Sequence, residues 1–157
     1  LCPSTGSDAS MRAVRHAGQS SASPSPASAA ILMPAHDEAQ GIARTIAALG
    51  PALSANIRLI VIADNCSDDT AAIARQAGAQ VIERQDTSQR GKGHALAFGR
   101  DWLRGDPPAC VVVLDADCAI DKPGIETLIA TSMAAHRPVQ SCYLLRSRAS
   151  DGPIVQM

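Results

Sequence analysis

Aromatic residues are nearly absent from this sequence, which contains one Trp, one Tyr and one Phe in 157 residues. Proteins that bind single-stranded nucleic acid stack bases on aromatic side chains. A net charge of −1 also provides no basic surface for a phosphate backbone. We therefore expect no nucleic-acid partner. Because 46% of the residues are hydrophobic, a core can form, but it must be built mainly from Ala, Val, Ile and Leu.

The sequence also lacks a paired cysteine motif and a long apolar run. Its five cysteines are scattered, with no Cys-x-x-Cys spacing among them. An odd, unpatterned set indicates reduced thiols rather than a disulfide framework. No apolar run approaches the ~18 residues of a membrane span. We therefore expect a cytoplasmic protein.

The chain divides into a low-complexity segment and one domain. Residues 1–28 are rich in Ser, Ala and Pro, and we expect them to be disordered because they can bury little apolar surface. Residues 29–157 have the length of a single domain, in which short apolar runs alternate with helical patterns. This order predicts a Rossmann-like α/β fold with a parallel sheet and right-handed crossovers. The predicted strands are Ala29–Ala35, Ile57–Ala63, Gln80–Arg84, a strand starting at Val111, and Val139–Leu145.

The stretch Val111–Asp117 carries the clearest chemical signal. A short, continuously apolar run predicts a strand buried on both faces, and it leads into Asp115 and Asp117. Side chains at i and i+2 of an extended chain point the same way. The two carboxylates can therefore approach one hard cation, such as Mg²⁺ or Mn²⁺. The alternative is a solvated turn, in which Asp is common.

Two further polar clusters follow other predicted strands, and another lies in the loop before the third predicted helix. They are Pro34–Glu38, Asp64–Asp69 and Arg90–Gly93. Loops after parallel strands converge at one edge of the sheet, so we expect one cleft for a ligand with a diphosphate and a hydrogen-bonding heterocycle. Each cluster also has a structural interpretation: an Asx turn, charges at a helix N-terminus, or a solvated loop.

Four of these segments resemble the motifs of family 2 glycosyltransferases, in that family's order and spacing. Ile31–Glu38 resembles the opening motif, and Val61–Thr70 resembles the second motif. Arg90–Leu96 is similar to the Lys-Gly-x-Ala-Leu loop, and Leu114–Asp117 to the Asp-x-Asp metal motif. Two positions depart from the second motif: Ala63 replaces its first Asp, and Asn65-Cys66 replaces its Gly-Ser.

The resemblance implies a GT-A domain that binds a nucleotide-diphosphosugar donor. By this resemblance, Pro34, Ala35 and Glu38 would line the nucleoside pocket, and Asp64 would contact the base. Lys92 would lie beside the nucleotide. Asp115 would face the sugar and help to bind the metal, and Asp117 would be the main ligand of Mg²⁺ or Mn²⁺.

The implied reaction is inverting transfer of a sugar to an acceptor hydroxyl, on a saccharide or a lipid-linked acceptor, as in polysaccharide biosynthesis. In the family the general base is an acid well downstream of the metal motif. After Asp117 the only acids are Asp121, Glu126 and Asp151, and none is assigned this role. We therefore expect the base beyond the chain end. The donor-binding domain would then be incomplete, with any membrane attachment in the missing C-terminal region at the cytoplasmic face.

One further residue belongs to this hypothesis, and two other interpretations of the chain compete with it. The resemblance suggests that Gln140 lies on the acceptor side. The chain could instead be a non-catalytic nucleotide- and metal-binding fragment. It could also be a sugar-nucleotide nucleotidyltransferase, but such an enzyme requires a Gly-rich basic loop after the first strand. Pro34–Glu38 is not such a loop.

Overall fold

The computed structural model describes residues 29–142. The predicted disordered segment, residues 1–28, and residues 143–157 lie outside this range. Strands and helices alternate along the described chain, as predicted. The elements are β1 (Ala29–Ala35), α1 (Ile42–Leu49), β2 (Ile57–Asp64), α2 (Thr70–Gln76), β3 (Gln80–Arg84), α3 (Lys92–Leu103), β4 (Cys110–Val113) and α4 (Lys122–Ala135).

The four strands form one parallel sheet in the order β3-β2-β1-β4. In the pairing register, Ala29 lies opposite Ile57 on one side and Cys110 on the other. The chain thus starts in the middle, moves outward to β3 and returns to the other side of β1. This reversal creates a crevice at the carboxyl ends of β1 and β4, where ligands bind in open α/β sheets. The predicted fold class is confirmed.

The core consists of two layers because strand side chains alternate between the faces of the sheet. Ile31 and Met33 of β1 pack on the face covered by α1, α2 and α4. Ala30 and Leu32 pack on the opposite face, which α3 covers. A Cβ atom at Gly99 of α3 would lie 2.5 Å from Ile62 Cδ1. The absence of a side chain at that position therefore lets α3 approach the sheet closely.

The prediction that the fourth strand is buried on both faces is wrong within residues 29–142. Val112 is buried, but Val111 and Val113 are 45% and 44% exposed. The reason is topological: β4 is an edge strand of the described sheet, and α3 packs over β1, β2 and β3.

The predicted last strand, Val139–Leu145, is not a strand where the structure describes it. Val139–Cys142 has no regular structure, and Val139 lies beside Thr127 and Leu128 of α4. His136 adopts a left-handed conformation (φ 49°) that ends α4. Pro138 follows two residues later. The chain therefore runs alongside α4 instead of pairing with β4. Residues 143–145 lie outside the described residues.

Candidate functional site

A cleft of about 430 Å³ lies at the carboxyl ends of β1, β2 and β4. Pockets of this size are typical of small-molecule sites. It brings together the polar clusters that the sequence places after separate strands. The predicted site residues that line it are Pro34, Ala35, Glu38, Asp64, Lys92, Asp115 and Asp117, and they are joined by His36, Asn65, Arg90 and Gly91.

The two acids after β4 lie in a tight turn rather than on extended chain. Ala116 and Asp117 form the turn, and Cys118 N donates to the Asp115 carbonyl at 3.1 Å. Thr45 Oγ1 on α1 donates to the Ala116 carbonyl at 2.6 Å and anchors the turn. The i, i+2 strand argument was therefore wrong about the backbone, but the two carboxylates still converge.

The donor set of this turn suits a hard divalent cation. Carboxylate oxygens of Asp115 and Asp117 and the Cys118 sulfur all lie within 4.8 Å of one another. Burial, followed by the Asp117 charge, raises the pKa of the Cys118 thiol, so the sulfur stays protonated and is a poor ligand or nucleophile at neutral pH. Two carboxylates with further positions left for phosphate oxygens fit Mg²⁺ or Mn²⁺.

The N-terminus of α3 supplies the positive side of the cleft. Gly91 precedes α3 with φ 107°, a conformation that L side chains rarely adopt. Lys92 Nζ lies 2.5 Å from Asp115 Oδ1, with both side chains partly exposed. A lysine and the backbone N–H groups at a helix start attract phosphate.

The loops after β1 and β2 are joined by Asp37, which the sequence reasoning did not single out. Asp37 adopts a left-handed φ of 54°, and its carboxylate accepts hydrogen bonds from Ser67 N at 2.6 Å and Ser67 Oγ at 3.0 Å. The Ser67 backbone N–H lowers the pKa of Asp37. The only sequence signal is an Asp in one turn and a Ser in another, which does not reveal their pairing.

A second connection between these loops passes through Thr70, which is fully buried. Glu38 N donates to Thr70 Oγ1 at 2.7 Å, and that hydroxyl donates to Asp68 Oδ1 at 2.5 Å. Asp68 also accepts from Ala39 N at 3.1 Å. Asp68 thus has a structural role near the start of α2: it holds the Ala39 backbone directly and the Glu38 backbone through the Thr70 hydroxyl.

Asp64 lies at the end of β2 and is buried. Its Oδ1 accepts hydrogen bonds from Arg84 Nη1 at 2.7 Å and Asn65 Nδ2 at 3.2 Å, which is not the pattern of an Asx turn. His36 Nδ1 lies 2.8 Å from the Asp64 carbonyl, so Nδ1 is the protonated nitrogen. Sequence reasoning missed Arg84, because only the β2–β3 register places it opposite Asp64.

The described acids after Asp117, and Gln140, lie outside the cleft. Asp121 caps α4 by accepting from Gly124 N at 2.9 Å, and Glu126 lies 3.8 Å from Lys122. Gln140 is exposed in a shallow groove beside α4 and does not line the cleft. Its acceptor-side role stays a prediction, and Asp151 lies outside the described residues.

The parallel sheet, its crevice and the acid-bearing turn define a GT-A, Rossmann-like domain. The model of the family described as Glycosyl transferase family 2 matches residues 30–150. This chain belongs to glycosyltransferase family 2. No curated protein sequence matched the chain.

Solved structures share the fold. A mycobacterial protein superposes with a TM-score of 0.58 at 26% identity, over 69% of this chain and 37% of that one. Glucosyl-3-phosphoglycerate synthase from Mycobacterium tuberculosis, in complex with Mn²⁺, UDP and phosphoglyceric acid, superposes with a TM-score of 0.58 at 24% identity. The superposition covers 68% of this chain and 39% of that one. The same synthase was solved with Mg²⁺ and UDP, with a TM-score of 0.57, 24% identity and coverage of 68% and 40%. This chain thus matches less than half of these proteins' length.

Within residues 29–142, none of the helices is both long and apolar enough to cross a bilayer.

Proposed function

We propose that this chain is the donor-binding part of a glycosyltransferase. The enzyme transfers a sugar from a nucleotide-diphosphosugar to an acceptor hydroxyl with inversion, and it depends on Mg²⁺ or Mn²⁺. The observation that carries this proposal is that Asp64, Lys92, Asp115 and Asp117 share one cleft of about 430 Å³. The complexes of glucosyl-3-phosphoglycerate synthase with UDP and either cation support it.

The inner end of the cleft suits a nucleoside. Pro34 and Ala35 offer an apolar wall, and Glu38 and Asp64 offer carboxylate acceptors for base N–H and ribose O–H groups. Asp64 is buried and already hydrogen-bonded. Such a preorganised acceptor binds without the entropic cost of ordering a flexible side chain.

The outer end suits a diphosphate and its cation. Asp115 and Asp117 would hold the cation, which supplies electrostatic stabilisation of the leaving diphosphate when bound. Lys92 pairs with Asp115 across the cleft. When a diphosphate enters, the Lys92 ammonium can pair with it and offset the repulsion between phosphates and carboxylates.

Acceptor activation requires a general base, and we assign none among residues 29–142. Asp121 and Glu126, the described acids after Asp117, serve the start of α4 and an exposed ion pair. Transfer activity and acceptor choice, including the acceptor-side role of Gln140, therefore stay proposals for the whole protein. Cytoplasmic localisation also stays a prediction.

Calorimetric titration of UDP, GDP, ADP and CDP into the purified chain, with Mn²⁺ or with chelator, tests the proposal. We expect metal-dependent binding of one diphosphate in preference to the others. Asp121→Asn, which alters a cap outside the cleft, serves as the control and should bind like the wild type. A folded chain that binds none of the four would contradict the donor-binding role.

Catalysis needs a separate measurement. Release of free nucleotide from the matching sugar donor would show that the chain acts on the donor by itself. Binding without release would favour a nucleotide- and metal-binding module, in agreement with the structural roles of Asp121 and Glu126.

A further inference from the structure

Arg84 lies behind the wall of the cleft, at the carboxyl end of β3. It is buried, with a side-chain exposure of 9%, and it is not among the residues that line the cleft. Its guanidinium forms two contacts: Nη1 donates to Asp64 Oδ1 at 2.7 Å, and Nη2 donates to Asp86 Oδ2 at 3.0 Å. A planar guanidinium held at two points fixes the direction of its bond to Asp64.

Asn65 completes this arrangement on the same oxygen. Its Nδ2 donates to Asp64 Oδ1 at 3.2 Å, while its Oδ1 accepts from Asp86 N at 2.7 Å. Asn65 N also donates to the Arg84 carbonyl at 2.8 Å. Side chain and backbone of Asn65 are thereby fixed between the ends of β2 and β3.

The two carboxylate oxygens of Asp64 consequently differ in their hydrogen bonding. Within residues 29–142, both side-chain hydrogen bonds of this carboxylate fall on Oδ1. No fully buried side-chain oxygen in that range lacks a hydrogen-bond partner. Oδ2 is therefore the oxygen that remains accessible, and Asp64 reaches solvent through the cleft it lines.

We propose that Arg84 is a positioning residue that determines base specificity by occupying Asp64 Oδ1 and leaving only Oδ2 for the ligand. The inference rests on the proposed contact between Asp64 and the base. One free carboxylate oxygen matches the single N3–H donor of uracil. Guanine presents two adjacent donors, N1–H and N2–H, which pair best with both oxygens of a carboxylate.

The other bases fit less well for a different reason. Cytosine N3 and adenine N1 are acceptors, and a carboxylate cannot donate to them; only the exocyclic amino groups of these bases could donate to Oδ2. The pocket therefore favours uridine over guanosine diphosphates, and Arg84 supplies that discrimination. A site that leaves buried polar groups unpaired with the wrong ligand discriminates strongly.

A merely structural ion pair makes a different prediction. If Arg84 only tied β3 to β2, its removal would lower stability and weaken all nucleotides by the same factor. If Arg84 restricts Asp64, its removal leaves Oδ1 with only the longer hydrogen bond from Asn65 Nδ2 at 3.2 Å. Oδ1 can then accept from a ligand, which changes the ratio of UDP to GDP affinity. The ratio is therefore the decisive quantity.

The experiment is calorimetric titration of UDP and GDP, each with Mn²⁺, into the full chain and into Arg84→Gln. We expect UDP affinity to fall about tenfold and the UDP-to-GDP ratio to fall by about tenfold or more. Arg75→Gln is the matched control, since Arg75 forms an exposed ion pair with Glu83 away from the cleft. It should keep the wild-type ratio.

Arg84→Lys serves if Arg84→Gln does not fold. Lysine keeps the charge but not the planar fork, so we expect a smaller decrease of the ratio. A wild-type ratio in the folded variant would overturn the role of Arg84 and leave the proposed function standing. A wild-type chain that binds no nucleotide would contradict the proposed function, and this inference with it.

Discussion

The hydroxyl of Thr70 connects the first two loops of the site, and replacing it by Val isolates that connection. Valine has nearly the shape of threonine but cannot accept the hydrogen bond from Glu38 N or donate to Asp68. Thr70 is fully buried, so water cannot easily take the place of the lost hydroxyl. The Glu38 N–H, which faces it at 2.7 Å, then loses its acceptor.

The expected cost follows from this lost acceptor. Leaving a buried donor without a partner costs about 1–3 kcal/mol. The Asp68 carboxylate is solvent-accessible and can bond water instead, so we assign it no separate cost. For a domain of about 130 residues, 1 kcal/mol corresponds to about 3–5 °C. Thr70→Val should therefore lower Tm by roughly 3–15 °C.

Thermal denaturation at pH 7, followed by circular dichroism, measures this effect. Thr127→Val on the exposed face of α4 is the matched control and should change Tm little. NMR titration gives a second readout: the Thr70 hydroxyl is the main cause of the lowered pKa of Asp68, so that pKa should rise in Thr70→Val. An unchanged Tm together with an unchanged Asp68 pKa would refute this account of the connection.

Three further predictions concern the metal turn, the packing of α3 and acid stability. Asp117→Ala should keep the wild-type Tm, because Asp117 is exposed, and should remove the gain in UDP affinity that Mn²⁺ provides; calorimetry showing an intact gain would disprove the metal assignment. Gly99→Ala should cost about 1–3 kcal/mol in urea denaturation, because the new Cβ overpacks against Ile62; wild-type stability would show that α3 can shift freely. The pKa values of Asp37, Asp68 and Asp86 are lowered from 3.8 by hydrogen bonds to Ser67, Thr70 and Ser88, respectively. Stability from a lowered carboxylate pKa is present above the unfolded value and is lost as pH falls through the folded one. Tm should therefore be level from pH 7 to about 5 and fall below about 4, and a Tm that stays constant to pH 3 would contradict these contacts.

Strand positions could be read from the sequence because buried parallel strands are short apolar runs with polar ends. Ala29–Ala35 and Gln80–Arg84 have the predicted bounds. Asp121 and Pro123 are also residue types typical of a helix N-terminus, and Asp121 does cap α4. These signals depend only on residues close together in the sequence, so they can be interpreted without knowledge of the fold.

Features that depend on distant partners were not predictable in this way. The exposure of Val111 and Val113 depends on which strands α3 covers, and the path after His136 depends on a backbone conformation that composition does not reveal. The bond between Arg84 and Asp64 joins residues 20 positions apart. Only the sheet register brings them together, and no spacing rule identifies Arg84 beforehand.

The meeting of the polar loops at one cleft could be predicted from the topology. The different contacts made by the individual side chains in the cleft could not. Parallel strands bring their carboxyl ends to one edge whatever the loops contain. The structure adds that the two ends of the cleft differ in the burial and the contacts of their side chains. Asp64 is buried and fixed by Arg84 and Asn65, while Lys92 and Asp115 are partly exposed and pair with each other. Under the proposed function, a nucleoside would enter the inner end, where Asp64 is already held in place, and a diphosphate would displace the Lys92–Asp115 pair. The charge of a cation bound at Asp115 and Asp117 would offset that exchange, which is a reason for the acids and the lysine to lie in the same site.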